Sequence, residues 1–257
     1  MLGKLAVHIS KEDGDYLEYV KGITSAFGVI PDFLYLEEEG IFNLMSPSEE
    51  RQRAIKRYIE DFFEGSNFYT LSGKGDKTLR ELQESYDLLF VKYKRQLFGK
   101  SVPEWILSET DELRLWVYKE GCKGSIKRVC LPVDFSKRSI RQVEFAELLK
   151  GFFNFDYDLV YAMNINRFIN KLSKEDYNKS LLNKKEEVMH MYTDTFGGKD
   201  LNLVILEGDP YREMVKHINF SDYDLVIIGR RGKGMRERIG SVSLHMVRSL
   251  KCPVVVL

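Results

Sequence analysis

The sequence predicts an α/β fold of two tandem domains, each a parallel sheet flanked by helices. Short apolar runs alternate with longer segments of helical periodicity along the 257 residues, and the second half repeats the order of the first. Such alternation favours a parallel sheet, whose ligands bind at the carboxyl ends of its strands. A loop of glycines and arginines, "GRRGKGMRERIGS", follows one of these runs.

The second half contains five apolar runs that are too short for helices and rich in β-forming residues. They are Val129 to Val133, Leu159 to Met163, "LNLVILEG" ending at Gly208, "YDLVIIG" ending at Gly229, and "CPVVVL" at the end of the sequence. Four helices are predicted between them: one after the N-cap residue Ser136, one from about Arg167 to Phe196, "YREMVKHINF", and one beginning at Ser241, which we expect to act as its cap.

The first half repeats this pattern. A shift of 126 positions places Val7 on Val133 and Ser10 on Ser136, and a shift of 137 aligns "YDLLFV" with "YDLVII". "LRLWVY" supplies a fifth strand, and "KEGCKGS" has the glycines and charges of a linker. We therefore predict domains at residues 1–119 and 125–257.

Composition and charge argue against a general nucleic-acid binder, a membrane protein and a secreted protein. The formal net charge is zero, whereas general nucleic-acid binders are usually basic. No apolar run approaches the roughly 20 residues of a membrane helix. The start, "MLGKLAVHISKEDGD", lacks the apolar core and cleavage site of a signal peptide. We expect a cytoplasmic protein that binds neither a membrane nor, as its main partner, nucleic acid.

The reactive side chains form no recognisable catalytic or metal-binding pattern. Cys122, Cys130 and Cys252 make no CxxC pair, and none of the four histidines has a second ligand at metal spacing. No motif supplies a Ser-His-Asp pattern, a Cys-His pair or two adjacent acids. We therefore predict no catalytic residues and no protein metal site. Slow ATP hydrolysis is the one enzymatic option, and the sequence identifies no base for it.

Four motifs together resemble the universal stress protein family. They are "LPVDFS" after the first strand, "GDP" at the start of a helix, "GRRG…GS" before the last helix, and "CPVVVL". The resemblance covers residues 126–257 by motif and residues 1–119 only by the order of elements. It implies a tandem member in which each five-stranded parallel sheet has the order 3-2-1-4-5. Many members of the family bind ATP or a related adenine nucleotide, and others do not.

The glycine loop is the expected phosphate site. Nucleotide-binding members of the family carry Gly-x2-Gly-x9-Gly before Ser or Thr. Here Gly229 and Gly232 fit the first pair and Gly240 with Ser241 fits the last, but only seven residues intervene. Glycines let the backbone approach a ligand closely, and the amides that begin the following helix attract anions. The shortened loop predicts weaker binding, with ADP or AMP held about as well as ATP.

The resemblance implies the rest of the nucleotide site. Pro132 and the end of the second strand near Met163 would lie beside the adenine. Asp134 would bind a ribose hydroxyl or help to hold Mg²⁺ on the phosphates of ATP. The complete predicted set is Pro132, Asp134, Met163, Gly229, Arg231, Gly232, Gly240, Ser241 and Val242.

The first half lacks these features. His8 stands at the place of Asp134, Lys92 at that of Gly229 and Arg95 at that of Gly232. Around the place of Gly240 it has Pro103, which lacks an N–H, and an acid that would repel phosphate. We predict that residues 1–119 are a degenerate domain without nucleotide.

With the family resemblance, the sequence predicts a stress-response regulatory protein that binds ATP, ADP or AMP in its second domain. A protein partner would recognise the nucleotide-bound form. The alternative is a ligand-free, structural or protein-binding stress protein, and RNA binding by the arginine-rich loop is a further option. Members of the family often pair through the fifth strand across a two-fold axis, and an exposed strand edge needs to be covered. The resemblance therefore implies that "LRLWVY" and "PVVVL" pair side by side and antiparallel, giving an intramolecular pseudo-dimer of the two halves. Larger homo-oligomers stay open.

Overall fold

The computed structural model describes residues 2–36, 48–71, 76–96, 99–165, 173–197, 199–230 and 239–257. Internal contacts divide the chain into two compact units. The first is Met1–Ser125 together with Pro253–Val256, and the second is Ile126–Cys252 together with Leu257.

The elements alternate between strand and helix along both halves of the chain. The first half has β1 (Leu5–Ile9), α1 (Gly14–Phe27), β2 (Asp32–Leu36), α2 (Ser48–Phe62), β3 (Phe68–Leu71), α3 (Asp76–Ser85), β4 (Leu88–Lys92), α4 (Val102–Glu109) and β5 (Leu115–Tyr118). The second half has β6 (Arg128–Pro132), α5 (Lys137–Lys150), β7 (Asp156–Met163), α6 (Lys174–Phe196), β8 (Asn202–Glu207), α7 (Pro210–Phe220), β9 (Leu225–Ile228), α8 (Ser241–Ser249) and β10 (Val254–Val256).

The sheet of the first unit runs β3-β2-β1-β4-β5, and these five strands are parallel. This is the order 3-2-1-4-5 that the family resemblance implied. All five residues of β1 and the first four of β4 are buried. Central strands of a parallel sheet are covered on both faces, which is why they are apolar without alternation.

The last strand of the chain completes the first unit. β10 pairs antiparallel with β5, so that Val254 lies opposite Val117 and Val256 lies opposite Leu115. Val254 and Val256 are both 0% exposed. The pairing covers the edge of β5, which would otherwise present unpaired backbone groups. The predicted antiparallel contact between "LRLWVY" and "PVVVL" is therefore confirmed.

The second unit has four parallel strands in the order β8-β7-β6-β9, which are positions 3-2-1-4 of the predicted sheet. Leu257 continues beside β9: its N–H donates to the Ile228 carbonyl at 3.0 Å, and its carbonyl accepts from Arg230 N at 2.9 Å. The predicted fold class is thus confirmed. The long helix begins at Lys174 rather than near Arg167, which lies outside the described residues.

A hydrogen-bonded cluster pins the amino ends of the strands in the first unit. The Tyr86 hydroxyl donates to Asp32 Oδ2 at 3.0 Å, and Asn67 Nδ2 donates to Asp32 Oδ1 at 2.9 Å. Asp87 accepts from the N–H groups of Gly3 and Lys4, just before β1.

The second unit repeats this cluster with the same residue types. The Tyr223 hydroxyl donates to Asp158 Oδ2 at 2.6 Å, and Asn202 also donates to Asp158. Asp224 accepts from the N–H groups of Lys127 and Arg128. The repeated "YDL" is therefore a strand anchor in both units, and the internal repeat extends to individual hydrogen bonds.

Candidate functional site

A cavity of about 230 Å³ lies at the carboxyl ends of β6 and β9 in the second unit. One part of its wall is apolar and is formed by Val133, Tyr161, Ala162, Met214, Ile228 and Met246. The rest is formed by Pro132, Asp134, Gln142, Pro210, Gly229, Gly240, Val242 and Ser243. An apolar wall with a few converging polar groups is the usual composition of a small-molecule site.

Five of the predicted nucleotide-binding residues line this cavity. They are Pro132, Asp134, Gly229, Gly240 and Val242. They come from three separate stretches of sequence, and the fold brings them together because β6 and β9 are neighbours. Arg231 and Gly232 lie outside the described residues.

Two predicted residues are not among the residues that line the cavity. Met163 is 3% exposed and packs with Ile165 and Val188 in a core cluster, and Ala162 contributes to the wall in its place. Ser241 is exposed at the surface, where its hydroxyl bonds with that of Tyr211.

Asp134 sits in a tight turn between β6 and α5. Its Oδ1 accepts from Ser136 N and from Ser139 Oγ, both at 3.0 Å. Phe135, at the bend, has the left-handed φ of 56°, a conformation uncommon for residues other than glycine. The N-cap predicted at Ser136 is present, because its hydroxyl accepts from Arg138 N. The Asp134 carboxylate therefore holds the turn at the cavity wall.

Gln142 ties two strand ends together and was missed by the sequence analysis. Its side-chain amide donates to the Pro132 carbonyl and to the Ile227 carbonyl, each at 2.8 Å. The residue is 2% exposed. The available signal was a polar residue next to Val143 on the apolar face of α5.

The helix that borders the cavity begins without a side-chain cap. Gly240 is the N-cap of α8, with φ −73° and ψ 147°, and it has no side chain to accept from the first N–H groups. The expectation that Ser241 caps this helix is wrong, because Ser241 is already the first helical residue. The hydroxyl of Ser243 instead donates to the Gly229 carbonyl at 2.7 Å, which joins the helix to the end of β9.

The "GDP" motif turns the chain from β8 into α7. Gly208 has φ 138°, and a Cβ there would lie 2.7 Å from Glu213 Cγ, so the position requires glycine. Asp209 caps α7 by accepting from Tyr211 N and Arg212 N, each at 3.0 Å. Pro210 is the first helical residue, which suits its fixed φ, and it lines the cavity.

Tyr161 gives the apolar wall a hydroxyl. Burial raises its pKa, and the nearby Asp134 raises it further. The ring lies 5.0 Å from that of Phe135, centroid to centroid. The phenol is therefore protonated at neutral pH and able to donate a hydrogen bond.

Within the described ranges, no three His, Cys, Asp or Glu side chains come together as a metal site. The same part of the chain has no helix with the length and apolar character needed to cross a membrane.

Comparison with known proteins agrees with this architecture. Residues 125–257 match the model of the universal stress protein family. A universal stress protein of Methanocaldococcus jannaschii is 28% identical over 143 residues, covering 51% of this chain and 81% of that protein.

Solved structures match nearly the whole chain. A universal stress protein from Archaeoglobus fulgidus has a TM-score of 0.65 at 16% identity and covers 98% of this chain and 95% of its own. A functionally unknown protein from Pseudomonas aeruginosa has a TM-score of 0.67 at 13% identity, with 98% and 92% covered. At these identities the likeness establishes the fold. Because the family model spans just over half of the sequence, the chain belongs to the universal stress protein family.

Proposed function

We propose that the second unit binds an adenine nucleotide in the cavity at the carboxyl ends of β6 and β9, and that the protein is a stress-response regulator whose bound state a protein partner detects. The observation that carries the proposal is an apolar wall next to the N-terminus of α8, whose N-cap residue Gly240 has no side chain. This pairing suits a ligand with a flat apolar base at one end and phosphates at the other.

The residues fit such a ligand in a definite direction. Ala162, Met214 and Met246 offer apolar contact to the base. The amides that begin α8 and the Arg-rich segment after Gly229 offer positive charge to the phosphates. The volume of about 230 Å³ is below the roughly 300–1,000 Å³ of typical ligand sites. The phosphates would therefore lie at the mouth, where α8 begins.

Asp134 is the proposed partner of the ribose or of Mg²⁺. Oδ1 already serves the turn, so a ligand contact would add to that role. Asp134→Asn keeps an oxygen acceptor for the turn and removes the negative charge. If Asp134 helps to hold Mg²⁺, this variant weakens ATP binding in the presence of Mg²⁺ and leaves AMP binding unchanged. Asp156→Asn, at the start of β7, is the matched control.

Calorimetry of ATP, ADP and AMP with the intact chain tests the proposal. We expect saturable binding of all three, with ADP and AMP held about as well as ATP, and loss of binding in Gly232→Val. An absence of heat and of thermal stabilisation at millimolar nucleotide would overturn it. The ligand-free, partner-binding alternative would then hold.

A further inference from the structure

The first unit also has a cavity at the carboxyl ends of its strands, with a volume of about 330 Å³. It lies where β1 and β4 end, and His8 and Lys92 are among its lining residues. It is the counterpart of the cavity in the second unit, but its wall is far more polar.

Two buried side chains in this wall have polar atoms that lack partners. His8 is 5% exposed and Tyr16 is 2% exposed. Among the described residues, neither His8 Nε2 nor the Tyr16 hydroxyl has a hydrogen-bond partner. Leaving such a group unpaired in the interior destabilises the protein. A bound molecule with hydroxyl groups would supply both partners, so these atoms point to a ligand.

Among the described residues of the lining, basic side chains outnumber acidic ones. Five are basic and two, Asp13 and Glu120, are acidic. Lys92 Nζ lies 2.6 Å from Asp13 Oδ2 and 3.6 Å from Glu120 Oε1, so this lysine is balanced by the acids. Burial lowers the pKa of His8 to about 4, which leaves its ring neutral at pH 7. The lining also includes Lys11, Lys94 and Arg95, whose positive charge attracts an anion.

The start of α4 and the end of β4 offer few free N–H donors to a polyphosphate. Ser101 N, the N-cap amide of α4, already donates to Glu104 Oε2 at 2.8 Å. Glu104 is 6% exposed, so its carboxylate is fixed in the first turn of the helix. Pro103 adds no N–H, and Lys92 occupies the strand end where the second unit has Gly229. The features that favour nucleotide in the second unit are thus replaced in the first.

We propose that this cavity binds a small hydroxylated organic anion, a sugar phosphate or a hydroxy acid, with its hydroxyl groups on His8 and Tyr16 and its anionic group near Lys94 and Arg95. His8 and Tyr16 are uncharged hydrogen-bonding groups, so direct contact with them favours ligands that carry hydroxyl groups. The exposed cations Lys94 and Arg95 favour an anionic group but do not distinguish phosphate from carboxylate. The proposal is independent of nucleotide binding in the second unit.

Calorimetry with the full chain tests it, using ribose 5-phosphate, glucose 6-phosphate, gluconate and citrate as probes. Inorganic phosphate and free ribose are the controls for the separate parts of the ligand. We expect at least one probe to bind ten times or more tightly than either control. If that probe is phosphorylated, the anionic group of the ligand is a phosphate, and if it is gluconate or citrate, the anionic group is a carboxylate.

Two variants place the binding in this cavity. Tyr16→Phe removes only the hydroxyl and should weaken binding about tenfold. The double variant of Lys94→Ser with Arg95→Ser changes exposed side chains and should weaken binding and reduce its dependence on salt. Arg80→Ser, on α3 outside the lining, should leave the affinity unchanged. The proposal is overturned if no probe gives heat, or if the lysine–arginine double variant binds as tightly as the parent.

Discussion

The N–H of Gly240 donates a 2.8 Å hydrogen bond to the carbonyl of Arg230. This bond closes the base of the glycine loop immediately after β9 and immediately before α8. The strand end and the helix start are therefore held together whatever the length of the segment between them. A loop two residues shorter than the family pattern can thus leave the cavity wall intact.

Lengthening the loop should change the preference among nucleotides. Insertion of Gly-Ser after Gly234 restores nine residues between Gly232 and Gly240. We expect ATP to gain affinity over AMP, because the added backbone reaches the outer phosphates, while the free energy of unfolding stays the same. Calorimetry and urea denaturation measure the two quantities, and the same insertion after Gly121 is the control. An equal gain for AMP would contradict the expectation.

Gln142→Leu should destabilise the second unit. The change keeps the size of the side chain but removes the donors to the Pro132 and Ile227 carbonyls. We expect a loss of about 2 kcal/mol in the free energy of unfolding, because buried carbonyls lose their partners. Urea denaturation measures it. Arg141→Leu, exposed on the same helix, should change stability by less than about 0.5 kcal/mol, and an equal effect of the two would refute the bridging role.

Ser243→Ala should cost more stability than Ser241→Ala. The first change removes the donor to the Gly229 carbonyl and should cost about 1 kcal/mol. The second removes an exposed contact with Tyr211 from a residue that does not cap the helix. Denaturation midpoints of the two variants decide the order. A larger loss in Ser241→Ala would restore the capping role to that residue.

His8 should make stability fall in mild acid. Burial lowers its pKa to about 4 in the folded chain from 6.5 in the unfolded chain. The unfolded state therefore binds an additional proton between these values, and stability decreases as the pH falls from 6.5 to 4. The full effect is about 3 kcal/mol.

Denaturation curves measured at intervals from pH 4 to pH 7 test the assignment to His8. His8→Asn cannot take up a proton and should have a correspondingly shallower dependence on pH. Equal slopes for the variant and the parent would show that other groups cause the loss.

A fragment of residues 1–125 should be incomplete. It lacks β10, whose valines are buried against β5, and so exposes the edge of that strand. We expect the fragment to self-associate, and a peptide of residues 250–257 to restore a monomer. Light scattering with and without the peptide measures this. A fragment that stays monomeric without the peptide would contradict the prediction.

The order of elements was predictable because it depends on local pattern. Buried runs such as that of β1, and signals such as the cap at Ser136, each lie within a few residues. The pairing of β10 with β5 was expected from the family resemblance, whose members often pair through the fifth strand, together with the rule that exposed strand edges are covered.

The fine geometry of the site was less accessible from the sequence. Met163 ends a predicted strand, yet which residues of that strand meet the cavity depends on packing against α6, where Val188 lies beside Met163. Gln142 acts through carbonyls that are 10 and 85 residues away in the sequence. The capping error at Ser241 has the same origin, because Gly240 and Ser241 are both acceptable caps until the backbone angles are known.

The contribution of β10 to the first unit also sets the order of events during synthesis. Val117 and Val254 are paired but lie 137 residues apart in the sequence. At about 5–20 residues per second, the ribosome needs roughly 7–27 s to make the intervening chain. Throughout that interval the nascent first half has an uncovered strand edge. Its sheet is completed only after these valines emerge, so the half that is made first cannot finish folding until nearly all of the second half has been made.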